Sequence, residues 1–530
     1  MRYVPVESAL FVYQPTDVRA SSSQKSLRQL VVFDRLTSRT VFGVECDENC
    51  DYYLIEEAYD SAFFRDLPPS FVHSIRKSPW VLYSRHPIGA VAGDSEVARW
   101  TLGRGFLIVI AFIVSLFVMA FIKGTPRVLL SLSLVSIGMF VCFLSTHVLM
   151  RMLVFVVCLA TLNLVRRKKE VLGSSDLPDV LSVVVALILM ISYCLASLER
   201  VLAVPNVASV VGGKAKLIYE CGAIPAFFWQ SQGCSADMLP WYPPGLSMLV
   251  LFLNVLIGSS YSWSVQLLTP AFFVLVAIEL LSLTHDKCVR LLMILMLATS
   301  TARWVSVGLY SEYVVLLCVM VGLKLLRHQS TRRWGALFLG LASWYKLEGL
   351  AFALVAYGWT LRACEGIKKA ILEIGLLLMP FCLWLVLLYA NGASHLFDVT
   401  VTPLSVGLYV QSLEAVAQFV FSDCKIILYL GLAYAMWKLM NGQFHIWAVV
   451  LTVLSFFLLF LLSGVVYATD ESAVMQWHIE TSMPRMFWLW TLVSISYYEM
   501  STSTLTRLPP ELTNVRGSKS QNIERASVVS

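Results

Sequence analysis

The sequence is poor in charge. Asp, Glu, Lys and Arg make up 14% of it, hydrophobic residues 58%, and the mean hydropathy is +0.73. A soluble domain has roughly a quarter of its residues charged, so a soluble globular chain is excluded and a polytopic membrane protein is expected. The excess of one sign is also small. A net charge of +6 over 530 residues supplies no basic footprint for nucleic acid, and no nucleic-acid partner is expected. Lys and Arg instead cluster between apolar runs, where they set topology.

Other features are missing too. The first 30 residues have no continuous apolar core, so no cleavable signal peptide is expected. Cys46 and Cys50, in CDENC, have no His nearby and no second Cys pair, which favours a surface loop over a metal site. Most other cysteines, such as Cys142, Cys158, Cys194, Cys318 and Cys382, lie inside apolar runs and read as small packing residues. Cys221 and Cys234 share one polar loop and could pair in an oxidising compartment. No DxD-type nucleotide-sugar motif with a soluble α/β domain is present.

What is present is a series of apolar runs. Residues 1–104 form a polar preface that reads as a small α+β unit, with short strands in LVVFDRL and RTVFGVEC and a helix in DYYLIEEAYDSAFFRDL. Candidate spans then run near 105–122, 128–147, 150–165, 178–198, 245–258, 263–283, 289–302, 309–326, 334–343, 348–361, 370–390, 424–438, 445–467 and 485–499. The expected architecture is an all-α polytopic bundle of about 11–14 membrane helices. Its parts are extra N-terminal membrane helices over 105–170, a main membrane domain over 171–500, and a disordered cytosolic tail over 501–530.

Basic residues orient the chain. Arg166 to Lys169, Lys324 to Arg333, Arg362 to Lys369 and the basic tail mark the cytosolic side. The loop of residues 199–244, and those near 391–423 and 468–484, then face the ER lumen or the periplasm. Parity fails twice: 245–283 reads as two spans, which conflicts with Lys287 and Arg290 inside, and three spans over 105–122, 128–147 and 150–165 would put the preface outside, where nothing obvious exports it and a cytosolic preface is expected. Between Arg333 and Arg362, both inside, the apolar run is interrupted by WYKLEG. Two short helices should therefore meet there at a break, with Lys346 and Glu348 lining a cavity.

Charged residues at membrane depth point to function by default. They fall in four patches on the outer face: KAKLIYECG with Tyr242-Pro243-Pro244-Gly245; LYSEY with Glu312; WYKLEG; and WHIETSMPR with His478, Thr481, Ser482 and Arg485. Each has a structural reading of equal weight. Lys346 and Glu348 can neutralise each other, Arg485 can snorkel, the prolines can start a helix, and Glu312 can complement a helix dipole. Four such patches on one face are harder to dismiss.

The order of these patches resembles the GT-C glycosyltransferases, in the branch of protein-mannosyltransferase-like and RgtA/B/C/D-like proteins. Members of one bacterial group carry a loop like DEFSYWGLKAK followed by an E-x-GG end and YPPGLPLL; the counterparts here are Asn206 to Glu220 and Tyr242 to Leu249. A TKNEG-like motif is matched by Tyr345 to Gly349, and an HLSTSxxR-like motif by His478 to Arg485. The resemblance covers roughly residues 178–499 and implies transfer of a sugar from a polyprenyl- or dolichyl-phosphate donor to an acceptor on the lumenal or periplasmic side. It implies an ER membrane or a bacterial cytoplasmic membrane, with membrane lipid as a further partner, and leaves sugar and acceptor open. The absent nucleotide-sugar motif agrees with a lipid-linked donor.

The family's catalytic acid is expected in the outer loop. Aligned on KAK, that Asp falls at Asn206 and its Glu partner at Val207. Asn cannot act as a base near neutral pH. Glu312, where the family often has Asp, is the favoured substitute, with Glu220, Glu199 and Asp237 as alternatives. Arg485 would hold the donor phosphate, with Lys346, Lys214, Lys216 and His478 adding charge or hydrogen bonds. Glu348, Tyr242, Thr481 and Ser482 would line the cavity. No firm cofactor is implied, and a divalent metal remains open. Two rivals stand beside this reading. One is a catalytically impaired, lipid-binding relative, favoured by Asn206. The other is a transporter or flippase, which calls for paired broken helices.

Overall fold

The structure, a computed structural model, describes residues 10–13, 40–43, 52–56, 73–77, 80–84, 107–119, 124–144, 180–199, 210–224, 226–229, 242–258, 267–284, 286–360, 366–391, 406–442 and 472–505. It is mostly helical. The expected strand in LVVFDRL, the spans near 150–165 and 445–467, and Cys46, Cys50, Asn206, Cys234 and Asp237 lie outside the described residues.

The preface contributes five strands: β1 Leu10–Tyr13, β2 Thr40–Gly43, β3 Tyr52–Glu56, β4 His73–Lys77 and β5 Trp80–Ser84. They form one mixed sheet in the order β2-β1-β3-β5-β4. Strand β1 runs parallel to β2 and β3, while β5 pairs antiparallel with β3 and β4. The expected helix over DYYLIEE is corrected: Tyr52–Glu56 is strand β3. Its aromatic and β-branched residues suit a pleated sheet better than a helix turn.

The helices are α1 Leu107–Met119, α2 Thr125–Leu144, α3 Val180–Glu199, α4 Gly212–Cys221, α5 Ala226–Trp229, α6 Gly245–Ile257, α7 Leu268–Ser282 and α8 Lys287–Leu297. They continue with α9 Ser300–Val307, α10 Glu312–Leu326, α11 Arg332–Tyr345, α12 Glu348–Thr360, α13 Ile367–Ala390, α14 Val406–Ser422, α15 Lys425–Met440 and α16 Ser472–Leu505. Among the described residues, two stretches, Thr125–Phe143 and Ile367–Tyr389, are long and apolar enough to cross a membrane, or up to four if two bent pairs each count as one span. Helices α8 and α9 are bent by 52°, α14 and α15 by 73°. Large apolar side chains point outward on the long helices, among them Ile188, Ile371, Val386, Ile426 and Met436. A surface of that kind suits lipid rather than water.

Three boundaries differ from expectation. The region near 391–423 contains helix α14, whose Ser412, Val416 and Val420 are buried at i, i+4 and i+8, a stripe that packs on α16. The 289–302 candidate is two helices bent by 52° at a short break, which together are long and apolar enough for one broken span. Helix α16 already starts at Ser472 and runs through Leu505, so the WHIETSMPR segment and the first residues of the expected tail are helical.

Helix α10 is buried nearly all round, from Glu312 to Leu326, with α7, α11, α12 and α16 against it. Helix α11 packs on α10 and α13. Their ends are fixed by aromatics: Phe140 of α2 meets Trp344 and Trp384 with ring centroids 5.7 Å apart in each case, edge to face. Polar side chains add direction. Ser136 donates to the Gly245 carbonyl at 2.7 Å and accepts from Trp344 Nε1 at 3.0 Å, which ties α2, the start of α6 and the end of α11 together.

Candidate functional site

Helix α11 ends where WYKLEG was expected to break it. Lys346 is its C-cap, in extended backbone, and Glu348 opens α12. A Cβ on Gly349 would run into the Ala342 carbonyl, so glycine lets α12 start directly against the last turn of α11. The break thus presents Lys346 at one helix end and Glu348 at the next N-terminus, where the helix dipole favours a carboxylate.

Glu312 occupies the N-terminus of α10 and is fully buried. The turn before it carries Leu309 at φ 52°, a left-handed backbone that L-residues rarely adopt. This turn brings Tyr310 and Glu312 to the same place. Glu312 Oε1 accepts from Lys346 Nζ at 2.9 Å and from Arg485 Nη1 at 2.8 Å. Its other oxygen, Oε2, is buried with no hydrogen-bond partner among the described residues. Arg485, following Pro484 inside α16, lies over the Tyr310 ring with its guanidinium carbon 3.9 Å from the centroid, and faces Trp304 at 5.5 Å.

The outer-loop patch joins through Tyr242. Its hydroxyl donates to Glu348 Oε2 at 3.3 Å, and Glu348 Oε1 lies 3.5 Å from Lys346 Nζ. Burial, with the Glu348 carboxylate beside it, pushes the Tyr242 phenol well above its usual value, so it remains a proton donor. Lys214 of α4 donates to the Tyr242 carbonyl at 3.0 Å. Burial pulls the Lys214 ammonium down to about 7. Residues from all four expected patches therefore meet in one connected cluster.

The charges of the cluster are unevenly placed. Two cations share one carboxylate oxygen, and the second carboxylate, Glu348, is 39% exposed while the Lys346 side chain is 4% exposed. A site with buried cations and one wet carboxylate can bind an anion at one end and act on a protic group at the other.

Lys216 is also buried on α4, and Ser482 is half-buried on α16. Glu220 and His478 lie on α4 and α16, and Thr481 on α16, by backbone; their side chains lie outside the described residues. Sequence reasoning missed Tyr310 and Trp304 as the aromatic bed of Arg485. Tyr310 is two residues before Glu312, and that closeness was the available signal. Among the described residues, no group of three or more His, Cys, Asp or Glu side chains is placed to hold a metal ion. No protein-family model, curated protein or solved structure matches the chain.

Proposed function

We propose that the protein is a GT-C-like polytopic membrane glycosyltransferase, moving a sugar from a polyprenyl- or dolichyl-phosphate donor to an acceptor on the lumenal or periplasmic side. The observation that carries this reading is the meeting of Lys346 and Arg485 on a single oxygen of buried Glu312. Glu312 holds the two cations together, and with Glu348 beside Lys346 the four groups are formally neutral, so the paired cations can meet the negative charge that grows on the phosphate as the donor phosphodiester loses its sugar. Arg485 can present further guanidinium N–H groups to phosphate oxygens. Glu312 Oε2, with no hydrogen-bond partner among the described residues, can accept from a sugar hydroxyl. Exposed apolar faces on the long helices give an isoprenoid tail its surface.

Native mass spectrometry of the detergent-purified protein tests this reading. A co-purified polyprenyl-phosphate lipid that is lost from Arg485→Ala is the expected result. Its absence from both proteins, prepared from membranes that contain it, sinks the donor assignment. A second reading, movement of a lipid-linked or hydrophilic substrate, draws on the two bent helix pairs at 52° and 73°. Substrate flux in proteoliposomes without sugar transfer would favour it.

A further inference from the structure

Glu312 and Glu348 are the two carboxylates of the cluster, and their surroundings differ sharply. The Glu312 side chain is 0% exposed and its Oε1 is taken by two cations. The Glu348 side chain is 39% exposed. Its neighbours are a cation at 3.5 Å from Oε1 and the Tyr242 hydroxyl at 3.3 Å from Oε2. A carboxylate oxygen can accept two hydrogen bonds, so both oxygens keep capacity on the open side. The carboxylate is also held in place. It stands on the first turn of α12, whose start is fixed against Ala342 through Gly349, and Tyr242 is anchored in turn by Lys214.

We infer that Glu348, oriented by Tyr242, is the general base that takes the proton of a hydroxyl acceptor, while Glu312 is a positioning residue for Lys346 and Arg485. This rests on the glycosyltransferase reading above. In the step, the acceptor oxygen bonds to the anomeric carbon as the bond from that carbon to the phosphate oxygen breaks. The electron pair leaves with the polyprenyl phosphate, and the acceptor proton passes to the Glu348 carboxylate. Lys346, in reach of both Glu312 and Glu348, places the leaving phosphate next to the base. The acceptor class is an alcohol, on a sugar or a hydroxylated side chain, because a neutral hydroxyl needs the proton taken as it attacks.

The test compares the lipids that co-purify with the full chain and with Glu348→Gln, Glu348→Asp and Arg485→Ala, all expressed in the same cells and read by native mass spectrometry. Loss of a general base typically costs about 10²–10⁴-fold in rate. Glu348→Gln should therefore trap sugar-bearing donor lipid, raising its ratio to sugar-free polyprenyl phosphate by about tenfold or more over the parent, with Glu348→Asp in between. Arg485→Ala should lose both lipids. An unchanged ratio in Glu348→Gln, with lipid still bound, overturns the role of Glu348 and leaves the donor site standing. No polyprenyl lipid in any of the proteins overturns the donor reading, and the base with it. Glu348→Gln is close to isosteric, and Glu348→Asp keeps the charge, so a folding defect in one does not mask the other.

Discussion

Arg485 and Glu312 are 173 residues apart in the chain and are joined by an Nη1···Oε1 contact of 2.8 Å. The contact is buried, and its stability depends on both partners staying charged. Glu312→Gln leaves Arg485 without its carboxylate and Lys346 with only Glu348, 3.5 Å away, which should cost roughly 3–5 kcal/mol. Glu312→Gln combined with Lys346→Met removes one of the two cations and should recover part of that loss. Denaturant or thermal unfolding of the detergent-solubilised variants, arranged as a double-mutant cycle, measures the coupling. Additive losses would show that the three residues do not act as a unit.

Arg485 also lies on Tyr310, 3.9 Å from the ring centroid. Tyr310→Leu keeps an apolar surface and removes the π-face. A loss of about 1–2 kcal/mol in stability is expected from the cation–π contact alone. The more telling measurement is lipid retention. A guanidinium released from its aromatic bed should hold co-purified phospholipid-like anions less tightly, so the bound fraction should fall. Retention equal to that of the parent would mean Glu312 alone sets the orientation of Arg485.

Much of this arrangement was legible in the sequence. The WYKLEG interruption showed where α11 and α12 part, because two charges in an apolar run force irregular backbone to a protected place. Glu312, Lys346, Glu348, Arg485 and Tyr242 were all visible as charged or polar residues out of place. Their pairing was not. The structural alternative that pairs Lys346 with Glu348 holds at 3.5 Å, but the closer partner is Glu312 at 2.9 Å, because α10 and not the neighbouring residue supplies the buried oxygen. Helix α14 was missed for a related reason. Its apolar stripe repeats every four residues on one side only, so the segment looks too polar to be a span and too regular to be a loop. Arg332 shows the limit of topology counting. It counts toward the basic cluster, yet it is buried and its cation is spent inside the fold.

Arg332 makes a clamp that is separate from the cluster. Its Nε and Nη2 donate to the two oxygens of Glu373 at 3.0 and 2.9 Å, its Nη1 to the Leu326 carbonyl at 3.0 Å, and Tyr357 adds a bond to Glu373 at 2.9 Å. The ends of α10, α11 and α12 are thereby locked to α13. Arg332→Met should destabilise by roughly 3–5 kcal/mol by taking the Arg332 cation from buried Glu373, while Arg332→Met with Glu373→Leu should be nearly neutral. Both should keep bound lipid. Loss of lipid in the stable double variant would show that the clamp reaches the site.

Gly349 gives a sharper test of the helix break. A Cβ there meets the Ala342 carbonyl, whereas one on Gly375, within α13, meets nothing within 4 Å. Gly349→Ala should cost about 1–3 kcal/mol by overpacking and shift Glu348 away from Tyr242. Gly375→Ala should be neutral or gain up to about 1 kcal/mol from helix propensity. Paired melting curves decide this. Equal effects would mean that the start of α12 does not depend on close approach to α11.

Lys214 gives helix α4 a pH response. It is 1% exposed, and burial lowers its ammonium from the usual 10.5 to about 7. Above about 7 the folded chain holds it neutral, while the unfolded chain keeps it protonated until 10.5. The unfolded state therefore binds more protons across that window, and stability from this group rises with pH from about 7 to 10.5. Below about 7 both states are protonated and the burial penalty is felt in full. The slope is at most about 1.4 kcal/mol per pH unit. Lys214→Met removes this contribution, so the parent should gain stability relative to the variant between pH 7 and pH 9. The comparison of thermal midpoints at the two pH values, each against Lys214→Met, cancels the other titrating groups. Parallel curves would mean the amine is solvated or paired as an ion in the folded protein, and that its hold on the Tyr242 carbonyl is that of an ammonium.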